Sequence, residues 1–216
     1  MIQTANGRTL EELRESAAMW QFFRDLFDFP SLKQWIRLQD ERSRAAWEIV
    51  RRNLKAGVPP EIPVPTDVQA YEETYLATFE VGIPHPVCPL IESHWNKRFP
   101  VPAILHENIL FYKQFGLELR PGAGEMADHL RYQLEFLHHL DCLEIRAWRD
   151  ESGGETIRQI HQARRDFLER HPGYWIPTAA RVLKEKRDNT WPSHWISLLA
   201  LALERAMEDS CLPALL

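Results

Sequence analysis

Apolar residues recur at helical spacing along most of the chain, and capping residues mark where the first helices begin. Thr9 and Glu12 have the spacing of a capping box, and the apolar pattern that follows runs to Pro30. A second run starts at Ser31 and continues to Lys55, before a glycine and a proline-rich connector. The pattern therefore predicts two amphipathic helices in the first quarter of the chain.

Further helical runs follow the proline-rich connector at residues 58–65. The predicted runs cover residues 67–79, 102–116, 125–149, 155–170, 177–186 and 192–207. No stretch shows the sustained apolar and polar alternation of a half-buried strand. The sequence predicts an all-α fold with roughly eight to ten helices.

The segment between Gly116 and Gly124 is rich in glycine and proline, which favours a chain break. It predicts two packed lobes within one structural domain: an N-terminal helical lobe at 1–116, a hinge at 117–124 and a C-terminal helical lobe at 125–216. A flexible joint of this kind permits exchange of a lobe between chains, so both a monomer and a lobe-swapped dimer are compatible with the sequence.

Composition and charge exclude several classes of protein. The chain has 216 residues, of which 44% are hydrophobic, and a formal net charge of −5. Its basic residues are scattered, with no block that could follow a phosphate backbone, so nucleic acid is not an expected partner. The longest uncharged apolar run, at 191–203, is shorter than a membrane span. The three cysteines are too widely spaced for a redox pair or a zinc site, and the N-terminus lacks the apolar core of a signal peptide; both predict a cytoplasmic protein.

Glu125, Asp128 and His129 form the sharpest cluster of polar residues. Their spacing places them on adjoining positions of one helix face, directly after the glycine-rich segment. Acidic residues are favoured in the first turn of any helix because they complement the helix dipole. The spacing alone leaves open whether the cluster is a helix cap or a binding site.

Motifs for catalysis and metal binding are missing from the sequence. Glu135 and His138 form one Glu-x-x-His pair, but a di-iron bundle needs a second pair, which the sequence lacks. There is no Gly-x-Ser-x-Gly motif and no glycine-rich phosphate loop. We therefore expect a protein that is not an enzyme and that holds neither a metal nor a cofactor of its own.

Eight tryptophans and ten phenylalanines are the other unusual feature of the composition. Most of these rings are expected to fill the core. The remainder could line a groove for an apolar peptide, with acidic residues selecting a basic one.

Three segments together resemble the TorD/DmsD/NarJ-type family of cytosolic chaperones that mature molybdenum-containing redox enzymes. They are YLATFEVGIPHPVCPLIESHW at 75–95, EMADHL at 125–130 and HPGYWIP at 171–177. Met126 stands where the family usually has proline. The loop that ends in Glu92, Ser93 and Trp95 looks more like chaperones that serve the dimethyl sulfide, ethylbenzene and chlorate group of enzymes.

This resemblance implies a chaperone that binds the twin-arginine signal peptide and the apo-form of the catalytic subunit of a molybdopterin oxidoreductase. It would assist cofactor insertion and delay export until the client is folded. An unrelated helical module for peptide or protein interaction is the alternative. The implied peptide-binding residues are Glu125 and Asp128 as arginine acceptors, His129 beside them, Tyr75, Phe79 and Trp95 as an apolar wall, and Glu92 and Ser93 in the loop.

Overall fold

The computed structural model describes residues 8–54, 58–59, 61–120, 127–150 and 154–211, and most of these residues are in helices joined by loops. The elements are α1 (Leu10–Leu26), α2 (Leu32–Leu38), α3 (Glu41–Leu54), α4 (Val68–Tyr75), a π-helical turn (Leu76–Glu80), α5 (Glu92–Trp95), α6 (Val101–Gln114), α7 (Leu130–Arg149), α8 (Gly154–Arg170), α9 (Pro172–Arg187) and α10 (Trp191–Cys211). Within these residues we find no β-sheet, only an isolated bridge between Ile91 and His129. The all-α prediction is confirmed.

The first helix begins where the sequence predicts. The Thr9 hydroxyl accepts a hydrogen bond from the Glu12 amide at 3.2 Å, and the Glu12 carboxylate accepts one from the Thr9 amide at 2.6 Å. Ser31 and Asp67 cap α2 and α4 in the same way, with side chains that accept from amides in the first turn. These side chains satisfy amides that have no partner within the helix.

Several helix boundaries in the first two thirds of the chain differ from the prediction. The run predicted at 31–55 is divided into α2 and α3, because the Asp40 side chain accepts a hydrogen bond from the Ser43 amide at 2.7 Å and starts a new helix. The helix predicted from residue 125 begins at Leu130, and His129 is its N-cap. Asp128 therefore lies in the turn before α7 and not on its face.

Helix α9 begins earlier than predicted. It starts at Pro172 and contains Pro177, which the sequence placed at the beginning of the helix. A proline at the start of a helix removes no backbone hydrogen bond, because the first amides have no partner within the helix. Pro172 fills that position, and the helix continues through Pro177.

Helices from both predicted lobes share one core. Helix α1 lies along α7, and α10 packs against α9 and α8. Phe23 and Leu26 of α1 belong to the same buried cluster as Leu134 and Phe136 of α7. Residues 117–120 have no regular secondary structure, and the rest of the predicted hinge lies outside the described residues. The division into lobes stays a prediction.

None of the helices in the described ranges combines the length and apolar character needed to cross a membrane.

Candidate functional site

The start of α7 is joined to the loop before α5 by backbone hydrogen bonds. The Leu130 amide donates to the Leu90 carbonyl at 2.8 Å, and the Glu92 amide donates to the Asp128 carbonyl at 3.1 Å. These two bonds bring together residues that are far apart in sequence. We call this meeting of the loop and the start of α7 the loop junction.

Asp128 holds the loop junction with its side chain as well as its backbone. The carboxylate is fully buried, and its Oδ2 accepts a hydrogen bond from the Ser93 amide at 2.8 Å. Its Oδ1 has no hydrogen-bond partner among the described residues. As folded, this carboxylate stabilises the start of α5 from inside the protein and is closed to a peptide on the surface.

Glu92 is the centre of a buried polar network behind the junction. Its carboxylate accepts hydrogen bonds from Asn96 Nδ2 at 2.8 Å and from Gln133 Nε2 at 2.6 Å. His171 Nδ1 lies 2.9 Å from Glu92 Oε2. Burying a carboxylate destabilises the folded protein unless hydrogen-bond partners such as these replace the water that it loses. The role that this geometry supports for Glu92 is therefore to connect α5, α7 and the start of α9.

The other members of this network do not stand out in the sequence. Gln133 Oε1 accepts a hydrogen bond from Trp175 Nε1 at 3.0 Å, and the Tyr112 hydroxyl donates to the Asn108 side chain at 3.2 Å. Burial raises the pKa of Tyr112 well above its ordinary value, with the nearby Glu92 charge as a second cause. In the sequence, the network is indicated by polar side chains at core positions of α6 and α7, such as Asn108 and Gln133.

Tyr75 and Phe79 belong to the aromatic core. Both are almost fully buried, and the Tyr75 hydroxyl donates to the Phe27 carbonyl at 2.9 Å. The Tyr75 ring lies 4.9 Å from the Phe79 ring and 6.4 Å from the Trp191 ring, between centroids. As folded, the two residues support the π-helical turn from within and do not form an open apolar wall.

The remaining predicted residues lie at the edge of the junction. Trp95 is half-buried, and its Nε1 donates to the Pro89 carbonyl at 2.8 Å, which fixes the loop. The His129 Nδ1 accepts from the Arg131 amide at 3.1 Å. Glu125 lies outside the described residues. The structure thus brings Glu92, Ser93, Trp95, Asp128 and His129 together, and their contact with a peptide stays a prediction.

An exposed apolar surface lies at the end of α1 and along α2. Phe29, Leu32 and Ile36 are each more than half exposed, at 62%, 55% and 56%. Carboxylates border them: Asp28 precedes Phe29 in the chain and forms an ion pair with Arg131 at 2.9 Å.

Two further acids, Glu72 and Glu80, lie on α4 and the π-helical turn that continues it, and α4 packs beside α2. Burial raises the pKa of Tyr71, and the charges of Asp28 and Glu72 raise it further. Burial likewise raises the pKa of Tyr75, followed by the charge of Glu80. Asp28 and Glu72 are therefore near Tyr71, and Glu80 and Asp28 are near Tyr75, which contacts Tyr71. We call Asp28, Phe29, Leu32, Ile36, Glu72 and Glu80 the acidic apolar face.

Comparison with known proteins identifies the family. The family model described as nitrate reductase delta subunit matches residues 40–181. The chain is 30% identical over 129 residues to the perchlorate reductase assembly chaperone protein of Dechloromonas aromatica (strain RCB), covering 60% of this chain and 56% of the relative. It is 36% identical over 116 residues to the selenate reductase assembly chaperone protein of Thauera selenatis, covering 54% and 58%.

A third relative is the chlorate reductase assembly chaperone protein of Ideonella dechloratans, at 35% identity over 109 residues, with 50% of this chain and 55% of the relative covered. The aligned regions span little more than half the length of these curated relatives. No solved structure matches the chain. From the family match over residues 40–181, the chain belongs to the nitrate reductase delta subunit family, as its resemblance to the TorD/DmsD/NarJ-type chaperones implies.

Proposed function

We propose that this protein is a system-specific assembly chaperone for the catalytic subunit of a molybdopterin oxidoreductase. It binds the client's twin-arginine signal peptide and apo-form in the cytoplasm, assists cofactor insertion and delays export until the client is folded. Family membership supports this proposal, as do the three relatives, each of which is named an assembly chaperone and not a catalyst.

The acidic apolar face is the observation that carries the peptide-binding part of the proposal. A twin-arginine signal peptide presents two guanidinium groups followed by an apolar stretch. Its receptor needs carboxylates, which pair well with guanidinium, beside exposed apolar side chains. Glu72 and Glu80 supply negative charge, Glu80 in addition to an interaction within the protein, and Phe29, Leu32 and Ile36 supply the apolar area.

The loop junction has a supporting role in this proposal. Asp128 and Glu92 are buried and bonded to the protein itself, so they act as positioning residues. They fix the conformation of the loop that follows the π-helical turn and begins next to Glu80. Tyr75 and Phe79 support the same turn from the core.

Isothermal titration with a synthetic peptide tests the proposal. The probe contains two consecutive arginines and a following apolar stretch, and the matched probe has lysine at both positions. The Glu72→Gln/Glu80→Gln variant should bind the arginine peptide about tenfold more weakly, the worth of one charge-assisted hydrogen bond. Glu169→Gln, which removes an exposed carboxylate on α8, is the control and should bind like the parent.

The lysine probe should bind the parent more weakly than the arginine probe, because lysine cannot make the bidentate contact. If the parent binds neither probe, or if the double variant binds the arginine probe like the parent, the acidic apolar face is not the signal-peptide site.

A further inference from the structure

A cluster of cationic and aromatic side chains lies on the other side of the loop that contains Trp95. The rings of His85 and His94 meet edge to face with centroids 4.4 Å apart, and the ring of His94 lies 4.9 Å from that of Trp95. Lys97 extends the cluster, with its Nζ donating to the Ser93 carbonyl at 3.1 Å. The loop thus places three cationic or titratable groups around one half-buried ring.

Helix α9 adds two further contacts to the same surface. Lys186, in its last turn, is close enough to His94 for its charge to lower the pKa of the imidazole. The Arg98 guanidinium lies 4.2 Å from the centroid of the Tyr174 ring, in a cation–π contact. The surface therefore continues from the loop along α9.

Every charged group that acts on His94 is cationic. Partial burial lowers its pKa first, followed by the charges of His85, Lys97 and Lys186. Of the acids nearest in sequence, Glu92 is buried, Glu185 accepts a hydrogen bond from Arg181 at 2.9 Å, and Asp188 accepts one from the Asn189 amide at 3.0 Å. None of these three carboxylates is among the charges that act on His94.

Helix capping explains only part of this arrangement. Lysine is favoured in the last turn of a helix because it complements the dipole, which accounts for Lys186. The same reason does not apply to His85, Lys97 or Arg98, which lie in the loops on either side of α5. Cations from separate elements line this surface although the whole chain carries a net charge of −5.

We propose that His85, His94, Trp95, Lys97, Arg98 and Lys186, which we call the cationic patch, bind an acidic segment of the client polypeptide that is distinct from its signal peptide. The identification of the ligand as client rests on the proposed function. Carboxylates spaced along a peptide pair with the separate cations, and apolar side chains between them contact the half-buried rings.

The two surfaces select ligands of opposite charge. A twin-arginine segment is repelled by the cationic patch, whereas the acidic apolar face attracts it. The loop that follows Glu80 leads to His85 and Trp95, so it joins the two surfaces. A client that has a basic segment and an acidic segment can therefore contact both at once and gain affinity from each.

A capped peptide of aspartate, glutamate and serine with one central phenylalanine is the probe for this surface. Titrated against the full chain, it should bind the Lys97→Glu/Lys186→Glu variant at least about tenfold more weakly than the parent. Lys113→Glu is the matched control, because Lys113 is exposed near the far end of α6, roughly 20 Å along the helix from the patch. It should bind the peptide like the parent.

Nuclear magnetic resonance of the histidines gives a second readout. The acidic peptide should shift the imidazole resonances of His94, whereas those of His106, which is exposed on α6, should not move. Equal shifts at both histidines would contradict binding at the patch.

The twin-arginine probe separates this inference from the proposed function. The Lys97→Glu/Lys186→Glu variant should bind that probe at least as tightly as the parent. If the acidic peptide binds and the twin-arginine probe does not, the patch is supported and the proposed function fails. If parent and variant bind the acidic peptide equally, or only inorganic polyphosphate binds the patch, the inference is wrong. If the variant binds neither the acidic peptide nor the twin-arginine probe, the inference is also wrong.

Discussion

Glu92 Oε2 lies 2.9 Å from His171 Nδ1, and both side chains are buried although 79 positions separate them in the chain. The pair connects the loop junction to the turn between α8 and α9. We expect Glu92→Ala to lower the free energy of unfolding by about 3 kcal/mol, because it leaves Gln133 and His171 buried without their acceptor. Urea unfolding followed by circular dichroism measures the loss.

Glu169→Ala serves as the control for this variant, since Glu169 is exposed on α8. It should change stability by less than about 0.5 kcal/mol. Equal losses in the two variants would show that the buried network does not stabilise the junction.

Glu144 makes stability depend on pH in the acid range. Burial alone would raise its pKa, but the hydrogen bond from His161 and the charge of Arg164 outweigh burial and lower the pKa to about 2. A carboxyl with a lowered pKa contributes stability above its unfolded value of 4.5, and that contribution is lost as pH falls toward 2. Glu144→Gln should therefore lower the free energy of unfolding by about 3 kcal/mol at neutral pH.

The cost of Glu144→Gln relative to the parent should shrink steadily below about pH 4. Urea unfolding of both proteins across that range measures the difference. Glu155→Gln is the control: its ion pair with Arg158 is exposed and screened by water, so its loss should change stability far less. A cost that stays constant with pH would mean that the ionised form of Glu144 is not what the network stabilises.

Asp128 distinguishes a positioning role from direct contact with the peptide. Asn at this position keeps an oxygen that can accept from the Ser93 amide, whereas Ala removes it. Asp128→Ala should therefore speed hydrogen exchange at the Ser93 amide and weaken twin-arginine peptide binding, while Asp128→Asn should do neither strongly. A large loss of peptide affinity in Asp128→Asn, with the Ser93 amide still protected, would instead support direct pairing with arginine.

Gly173 allows the turn into α9 to pack closely. A Cβ built on it would lie 2.5 Å from the Leu168 carbonyl oxygen and 2.7 Å from Met207 Sδ. Gly173→Ala should destabilise the protein by about 2 kcal/mol, because the backbone carbonyl cannot move freely. Gly154→Ala is the matched control: its nearest neighbour would be Arg158 Nη1 at 3.6 Å, so thermal unfolding should show no loss.

Local signals predicted the helices better than they predicted the site. The capping box at Thr9 involves neighbours in sequence, so its geometry follows from spacing alone. The break at Asp40 was missed because residues 39–44 are all polar, so no apolar position there shows that one helix ends and another begins. Asp128 was placed on a helix because an acid in a first turn and an acid in the preceding turn look alike in sequence.

Long-range pairs could not be predicted from spacing. Nothing in the sequence indicates that Glu92 meets His171, or that the start of α7 pairs with residues near Leu90. The aromatic character of Tyr75 and Phe79 suits a core as well as a peptide groove, and their burial depends on α10 packing over them. The positions of these residues depend on tertiary packing, which the spacing in the sequence does not show.

Chemical-shift mapping of the labelled full chain with the twin-arginine peptide tests the central claim most directly. The account predicts that amide shifts concentrate on α2, α4 and the π-helical turn, around Phe29, Glu72 and Glu80, and spare Lys97 and Lys186. Shifts centred on the cationic patch, or no shifts at saturating peptide, would contradict signal-peptide binding at the acidic apolar face.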